Sequence, residues 1–166
     1  DAAKPTATYA MQMVEAVLEK DFGARCFKNC DVVDMTFACV GAVDALQNCL
    51  DFCRANPGKK AVVVASDYAK YELESSGEYT QGGGAVALLL SDNPQLLEIE
   101  NVYGVATESV FDFFKPRRVA LKSDLNSSTE FMPDKIEIFT DEPVFDGHYS
   151  NQCYQDRIRE AYEHYK

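Results

Sequence analysis

The hydrophobic positions of this chain fall into helical stripes separated by short, continuous apolar runs. The clearest stripe follows Cys39, where Val40, Val43, Leu46 and Leu50 recur every three or four residues with polar residues between them. That spacing places the apolar side chains on one face of a helix and leaves the opposite face in water. The pattern therefore predicts an amphipathic helix that begins at the cysteine.

Residues 34–38 form a strand-like approach to this helix, so Cys39 stands at the junction of the two elements. The first turn of a helix has unpaired backbone N–H groups and the positive end of the macrodipole, and both favour a nearby negative charge. Such a position stabilises the thiolate, which is the attacking form of cysteine. Free cysteines more often pack as small buried hydrophobes, so the local pattern alone leaves a structural role open. Cys39 is the candidate nucleophile.

A second helical stripe precedes this region. Pro5 fits the first position of a helix, and Gly23 fits the position just after its last residue. Residues 25–36 carry no helical stripe and are predicted to be an extended segment that leads to the nucleophile. We expect the first helix to pack through its apolar stripe, which consists of Tyr9, Ala10, Met13, Val14, Val17 and Leu18.

Two apolar runs, at residues 61–65 and 85–90, predict strands, and residues 67–81 form a polar loop between them. The first run is continuous, which is typical of a strand buried on both faces. Because a helix lies between residues 34–38 and 61–65, the order of elements predicts a βαβ crossover and an α/β fold. A looser alternation at residues 96–105 predicts a further strand.

The later part of the chain contains a region of weak periodicity and a final helix. Residues 117–142 have little regular spacing, and we expect a surface excursion with a hairpin there. From Ser150, the positions Tyr154, Ile158 and Tyr162 predict a final amphipathic helix. No internal repeat or linker divides the chain into two domains.

Charge and composition exclude several classes of function. The 27 acidic residues outnumber the 16 basic ones and give a net charge of −11, which opposes binding to nucleic-acid phosphates. No apolar run reaches the roughly 18 residues that a membrane-spanning helix needs, and no signal-peptide pattern opens the chain. We therefore expect a soluble protein without a nucleic-acid or membrane partner.

Six cysteines occur in a chain whose helix and strand patterns differ from those of small disulfide-rich domains, so we expect reduced thiols. Cys26 and Cys30, like Cys49 and Cys53, are spaced so that on a helix each pair would share one face. Because the chain has no CxxC sequence and no partnering histidine, we predict no metal site.

Five segments carry a likeness to one family, in the same order and at similar spacing. They are Phe-Ala-Cys-Val-Gly-Ala at 37–42, the segment 61–71 that ends in Ser-Asp-Tyr-Ala-Lys-Tyr, and the segment 77–87 that begins Gly-Glu-Tyr-Thr-Gln-Gly-Gly-Gly. Later in the chain come Val-Phe-Asp-Phe-Phe-Lys-Pro at 110–116 and Pro-Val-Phe-Asp-Gly-His-Tyr-Ser at 143–150. Through these segments the chain resembles 3-hydroxy-3-methylglutaryl-CoA synthase.

The resemblance implies a thiolase-like α/β fold, of which residues 1–166 would form part of the N-terminal domain, with a surface insertion near 117–142. It also implies condensation of acetyl-CoA with acetoacetyl-CoA by a cytoplasmic homodimer, with no cofactor because the CoA thioesters are substrates. Residues 1–4 resemble the stretch after the family's catalytic glutamate, which would lie upstream. The family's histidine would lie beyond Lys166. We therefore expect a fragment that is inactive without the remainder of its own chain.

The same resemblance assigns the site residues. Cys39 would accept the acetyl group as a thioester, Thr80 would contact the acyl group, and Ser150 and Tyr71 would lie at the substrate. From the residues alone, Thr80 serves equally well as a turn-stabilising hydroxyl, and Ser150 as a helix N-cap. The positions that would support the site are Asp67 and Asp112.

Two further features bear on the binding of CoA. The glycine run at 82–84 lacks the spacing of a nucleotide-binding fingerprint, and we expect it to form a tight wall beside the acyl pocket. Lys115, Arg117 and Arg118 form the local basic cluster that would meet the CoA phosphates, unless the cluster is simply a solvated basic face.

The chain departs from the family pattern at two positions. Val40 stands where a tyrosine commonly follows the nucleophile, and Tyr79 replaces the usual proline. These departures leave the acetyl donor open between acetyl-CoA and an acyl carrier protein, which polyketide-branching relatives use. The residues also leave open a ketoacyl synthase III type enzyme and a non-catalytic subunit. His148 and His164 are expected to be solvated.

Overall fold

A computed structural model describes residues 5–115, 117–125, 133–139 and 142–166. The chain divides into two compact units, one made of Asp1–Ala65 and Val86–Pro94, the other of Ser66–Ala85 and Gln95–Lys166. None of the helices in the described ranges has the length and apolar character needed to cross a bilayer. The elements are α1 (Thr6–Phe22), α2 (Gly41–Ala55), β1 (Lys60–Ala69), β2 (Gly82–Ser91), β3 (Phe113–Phe114), β4 (Arg117–Leu121), β5 (Lys135–Phe139), β6 (Val144–Phe145) and α3 (Gly147–Tyr165).

Helix α1 confirms the first predicted helix, with its start shifted by one residue. Pro5 is the N-cap instead of the first helical residue, and Gly23 ends the helix in the left-handed region with φ 85°. The expected packing of the stripe is wrong for the described part of the chain, in which no residue of α1 is buried. Met13 and Val17 are 72% and 68% exposed, because no described element covers that face.

The core of the first unit is small and lies against α2. Leu46 and Leu50 pack on it as the helical spacing predicts, whereas Val40 and Val43 stay exposed. The turn after α2 is tied to the bend after β2, because the N–H of Gly58 donates to Asp92 Oδ2 at 2.8 Å. The buried members of the core are Cys53, Val63 and Leu90.

Strand β1 extends the predicted run 61–65 in both directions and pairs with β2. Burial on both faces is wrong, since Val63 is buried while Val62 and Val64 are 60% and 52% exposed. Residues packed on Val63 cover one face of the strand, and no described residue covers the other to the same degree. The predicted loop is correspondingly shorter, because residues 67–69 belong to β1.

The βαβ crossover is also wrong for the described residues. Residues 34–38 form no strand and contribute only the isolated bridge between Phe37 and Cys39. The segment 25–36 is only partly extended, because Lys28 and Cys30 close two tight turns at its beginning. Residues 34–38 therefore lead into α2 through turns and side-chain contacts, and not as a strand paired in a sheet.

In the second unit, the strand predicted at residues 96–105 is absent from the described structure. This segment instead leads onto α3, where the N–H of Val105 lies 3.0 Å from His164 Nδ1 and Glu108 forms an ion pair with Arg157. Its backbone thus meets a helix and not a neighbouring strand. His164 is exposed, as expected, but it is bonded to the backbone and is not simply solvated.

Two antiparallel pairs complete the second unit. Strands β4 and β5 pair from Arg117 with Phe139 to Leu121 with Lys135, which confirms the expected hairpin within residues 117–142. The tip of that hairpin lies outside the described residues, and its status as an insertion stays a prediction. Strands β3 and β6 form a short second ladder.

Helix α3 begins at Gly147, earlier than the predicted start at Ser150. Asp146 is the N-cap, and its Oδ1 accepts the N–H of Tyr149 at 3.0 Å. The N-cap role considered for Ser150 is therefore wrong, because the preceding aspartate already caps the first turn.

We expect Asp146→Ala to lower the free energy of unfolding by about 1 kcal/mol, since the capping oxygen is lost. Asp146→Asn keeps an oxygen at that position and is expected to stay close to the parent. Urea denaturation of the three proteins measures the difference. Equal stability of the Ala and Asn variants would contradict the capping role.

Candidate active site

Cys39 lies in the first unit, exposed, on a tight turn just before α2. The helix begins at Gly41 and not at the cysteine as predicted. The difference arises because the N–H groups of Val40 and Gly41 both donate to Phe37 O at 3.0 Å, which adds a turn ahead of the helix. The thiol therefore stays next to the positive end of α2, without packing in the core.

The backbone at this corner is strained and closely packed. Ala38 has φ 39°, in the left-handed region, which costs about 1–2 kcal/mol for a residue with a side chain. Gly41 is buried, and a Cβ there would lie 3.0 Å from Met35 O. Strained residues of this kind persist where their surroundings fix them and are frequent at active sites. The corner thus presents Cys39 in one defined backbone arrangement.

An aromatic cluster organises the second unit near the other predicted residues. Tyr71 contacts Phe145 edge to face, with ring centroids 5.8 Å apart and an interplanar angle of 68°. Phe113 stacks on the same ring, also at 5.8 Å, and its backbone pairs with Phe145 between β3 and β6. Phe145 therefore joins the loop after β1 to the β3–β6 ladder.

Thr80 belongs to the same loop and is fixed through Gly77. Its backbone N–H and its hydroxyl both donate to Gly77 O, at 2.9 Å and 2.8 Å. Gly77 is buried, and a Cβ there would lie 2.6 Å from Tyr71 Cδ1 and 2.9 Å from Phe145 Cε1. The turn-stabilising role of Thr80 is thus present in the structure, and its contact with an acyl group stays a prediction.

Gly77→Ala is expected to lower the free energy of unfolding by about 1–3 kcal/mol, because the added methyl group would force two packed rings apart. Gly82→Ala is the matched control, since no atom lies within 4 Å of a Cβ at Gly82. Chemical denaturation compares the two variants with the parent. If both were equally stable, Gly77 would not be packed as described.

Asp112 and Ser150 each form a backbone hydrogen bond with Asp146, the N-cap of α3. The N–H of Asp146 donates to Asp112 O at 3.1 Å, and the N–H of Ser150 donates to Asp146 O at 2.8 Å. Tyr71, Thr80, Asp112 and Ser150 are thereby linked to one cluster through Phe145, Gly77 and Asp146. Asp67 lies on β1, in the same unit. Cys39 belongs to the first unit, and its predicted partners belong to the second.

The sequence pattern did not single out Phe145, Asp146, Tyr149 or Cys153. A hydrogen bond with Cys153 raises the pKa of Tyr149, with further contributions from the electrostatic interaction with Cys153, from desolvation and from Asp112. Two signals in the sequence point to these residues, namely the i, i+4 spacing of Tyr149 and Cys153 and the preference for aspartate at N-caps.

The remaining predictions about ligands are only partly covered by the described residues. Lys115 is exposed, while the side chains of Arg117 and Arg118, like residues 1–4, lie outside the described part. Gly83 lies in β2 against Tyr68, whose Cδ2 would be 3.1 Å from an added Cβ. No cluster of three potential metal ligands occurs among the described residues. All six cysteines are described and free.

Comparison with known proteins identifies the family. A family profile described as "Hydroxymethylglutaryl-coenzyme A synthase N terminal" matches residues 5–95. The Hydroxymethylglutaryl-CoA synthase of Haloferax volcanii is 32% identical over 168 aligned residues, which cover 100% of this chain and 32% of that protein. The enzyme of the same name from Enterococcus faecalis is 43% identical over 79 residues, which cover 48% of this chain and 21% of that protein.

A solved structure titled "MvaS in complex with 3-hydroxy-3-methylglutaryl coenzyme A" superposes with a TM-score of 0.69 at 33% identity, over 99% of this chain and 33% of the other. Another, of HMG-CoA synthase complexed with CoA, gives 0.65 at 25% identity, over 99% and 34%. These neighbours confirm the thiolase-like α/β fold in partial form. The chain spans 32% and 27% of the length of two curated relatives that it matches over its whole length. The chain belongs to the hydroxymethylglutaryl-CoA synthase family.

Proposed function

We propose that the protein carrying this chain condenses acetyl-CoA with acetoacetyl-CoA to 3-hydroxy-3-methylglutaryl-CoA, and that Cys39 accepts the acetyl group. The observation that carries the proposal is the exposed Cys39 on a strained turn just before α2. The thiol of Cys39 is exposed, so a thioester can reach it. Two solved relatives contain CoA or 3-hydroxy-3-methylglutaryl-CoA by their titles, which supports a CoA thioester as substrate.

In the first step, the thiolate of Cys39 attacks the carbonyl carbon of acetyl-CoA. The bond from that carbon to the CoA sulfur breaks, and CoA leaves with the proton that Cys39 gave up. The result is an acetyl thioester on Cys39, which divides a difficult condensation into two easier reactions. This acetyl transfer balances without a metal or a redox cofactor.

In the second step, the acetyl methyl group loses a proton and its carbon bonds to the ketone carbon of acetoacetyl-CoA. The ketone oxygen takes up a proton, and water then hydrolyses the thioester and frees Cys39. The base in this proposal is the family's glutamate, upstream of residue 1, so the remainder of the chain takes part. We also propose that the full-length protein is a homodimer, because the family resemblance implies one.

The other predicted site residues would contact the substrates or support the site in this scheme. Because the Thr80 hydroxyl donates its proton to Gly77 O, the methyl group and the lone pairs of the hydroxyl oxygen remain to contact an acyl group. Ser150 and Tyr71 would lie along the substrate, with Asp67 and Asp112 orienting the surrounding loops. Tyr71 is already held by its ring contact with Phe145.

The test is to incubate the full-length protein with acetyl-CoA and acetoacetyl-CoA and to determine the carbon skeleton of the product. We expect the branched 3-hydroxy-3-methylglutaryl-CoA. A linear ketoacyl product alone would overturn the proposal in favour of a ketoacyl synthase. A second arm replaces acetyl-CoA with an acetylated carrier protein, because Val40 and Tyr79 depart from the family pattern. If product formed only with the acetylated carrier protein, the acetyl donor would be that carrier and not acetyl-CoA.

A further inference from the structure

Asp34 binds the first turn of α1 from a distant point in the sequence. Its Oδ2 accepts the N–H of Thr6 and its Oδ1 accepts the N–H of Ala7, each at 2.7 Å. These N–H groups have no partner within the helix. Pro5 at the N-cap makes no side-chain capping hydrogen bond, so the carboxylate of Asp34 supplies the cap instead. Both bonds are short and charge-assisted.

The chain that leaves Asp34 is held again within a few residues. Met35 O packs closely against Gly41, because a Cβ added to Gly41 would lie only 3.0 Å from it. Phe37 O accepts the N–H of Gly41 at 3.0 Å. The segment is therefore fastened at one end to the start of α1 and at the other to the start of α2. Cys39 lies on the turn at the second end.

We propose that Asp34 is a positioning residue for the Cys39 thiol, through which α1 holds the strained turn in register with α2. The inference rests on the proposed function, in which Cys39 accepts the acetyl group. Asp34 acts through the backbone, since both of its oxygens bind amides of α1 and neither needs to touch substrate. Loss of the anchor would let the turn relax and would reduce the fraction of molecules in which the Cys39 thiol is held in the position that this turn gives it.

Glu15 offers a matched control within the same unit. Its Oε1 accepts the N–H of Phe27 at 2.7 Å, so it also fastens the segment after α1 to that helix through one carboxylate. Phe27 is farther along the chain from Cys39 than Asp34 is. A merely structural role predicts equal consequences for Asp34→Ala and Glu15→Ala, whereas a positioning role predicts that only the first changes the chemistry.

The first experiment measures single-turnover acetyl transfer from acetyl-CoA to the full-length protein. We expect Asp34→Ala to lower the maximal rate on the order of tenfold, with the half-saturating acetyl-CoA concentration unchanged, because reacting groups are misplaced while substrate contacts remain. Glu15→Ala should keep the parent rate. A shift in half-saturation without a change in maximal rate, or equal losses in both variants, would overturn the proposal.

A second pair of variants removes one donor instead of the acceptor. Thr6→Pro deletes the N–H that binds Asp34, and proline suits the first position of a helix. Pro5 has ψ 132°, which a following proline tolerates. Thr6→Ala keeps the N–H as the control. Thr6→Pro should slow transfer, Thr6→Ala should not, and Thr6→Pro should add nothing when Asp34 is already alanine. Equal rates for the two Thr6 variants would contradict the coupling.

Alkylation by iodoacetamide separates this inference from the proposed function. The rate at Cys39, taken relative to Cys153 in the same protein near neutral pH, requires no acetyl-CoA. Because Cys39 is already exposed, a relaxed turn cannot speed its alkylation by uncovering the thiol. We therefore expect the ratio to fall in Asp34→Ala and to stay unchanged in Glu15→Ala. An unchanged ratio in Asp34→Ala overturns the positioning role even if Cys39 is acetylated. Failure of the parent protein to acetylate Cys39 overturns the proposed function instead. Should Asp34→Ala fail to fold, Thr6→Pro gives the same readings.

Discussion

Replacement of Cys39 by serine is expected to lower the rate of condensation by the full-length protein on the order of 10⁴-fold or more. The hydroxyl group remains protonated near neutral pH, so the enzyme loses the thiolate that forms the covalent intermediate. Serine is close to cysteine in size and should leave the turn before α2 intact. The measurement is the steady-state release of CoA in the presence of both substrates.

Cys30→Ser is the matched control for this substitution. Cys30 is also an exposed, free thiol of the first unit, and it lies on the turn that precedes Asp34. We expect its rate to equal that of the parent protein. If Cys39→Ser retained a rate within about tenfold of the parent, a loss of only about 1.4 kcal/mol in transition-state stabilisation, Cys39 would not be the nucleophile.

Gly104→Ala is expected to lower the free energy of unfolding by about 3 kcal/mol or more. A Cβ on Gly104 would collide with the carbonyl oxygen of Ala161 and would lie 3.0 Å from Tyr165 Cβ. The carbonyl belongs to the backbone of α3, so no side-chain rotation relieves the collision. The segment must move away from the helix, which also disrupts the bond between Val105 and His164.

Gly84→Ala provides the control, because nothing lies within 4 Å of a Cβ at Gly84. Its stability should stay within about 0.5 kcal/mol of the parent, as for most substitutions without a packing conflict. Guanidinium denaturation measures both variants, and the NMR signal of the Val105 amide reports the local contact. A Gly104→Ala protein as stable as the control, with that signal unmoved, would contradict the packing of this segment on α3.

The elements that the sequence predicted best are those fixed by local spacing. Helix α2 follows from its apolar repeat, and α1 ends at Gly23 because only a residue tolerant of positive φ suits that position. The start of α2 was misplaced because it depends on Phe37 O, whose acceptance of two N–H groups has no signature in hydrophobic spacing. The start of α3 was misplaced because Asp146, and not Ser150, is the cap.

The predictions that the structure contradicts concern features that depend on residues distant in the sequence. The apolar pattern at residues 96–105 suits a strand, but it suits equally a segment laid on a helix, and the close approach of Gly104 to Ala161 decides between them. The continuous apolar run at residues 61–65 predicts burial of β1 on both faces, whereas the described residues pack mainly on the face of Val63.

The candidate site divides in the same way. Motif positions point to Tyr71, Thr80, Asp112 and Ser150. The second unit links these residues into one cluster, and their roles at a substrate stay predictions. The residue at the centre of that cluster, Phe145, was not singled out, because its role arises from rings contributed by distant parts of the chain. Likewise, the contact of Asp34 with the start of α1 joins residues that no periodicity relates.

In the proposed reaction, the thiol of Cys39 carries the two-carbon unit. The most direct test of this role is to mix the full-length protein with isotopically labelled acetyl-CoA, quench in acid within one turnover, and map the labelled peptide by mass spectrometry. We expect an acetyl group on the sulfur of Cys39, and we expect it to disappear when acetoacetyl-CoA is added and product forms. Label on another residue would contradict the role of Cys39 as the acceptor. The same role would be contradicted if product formed after the addition of acetoacetyl-CoA although Cys39 never carried the label.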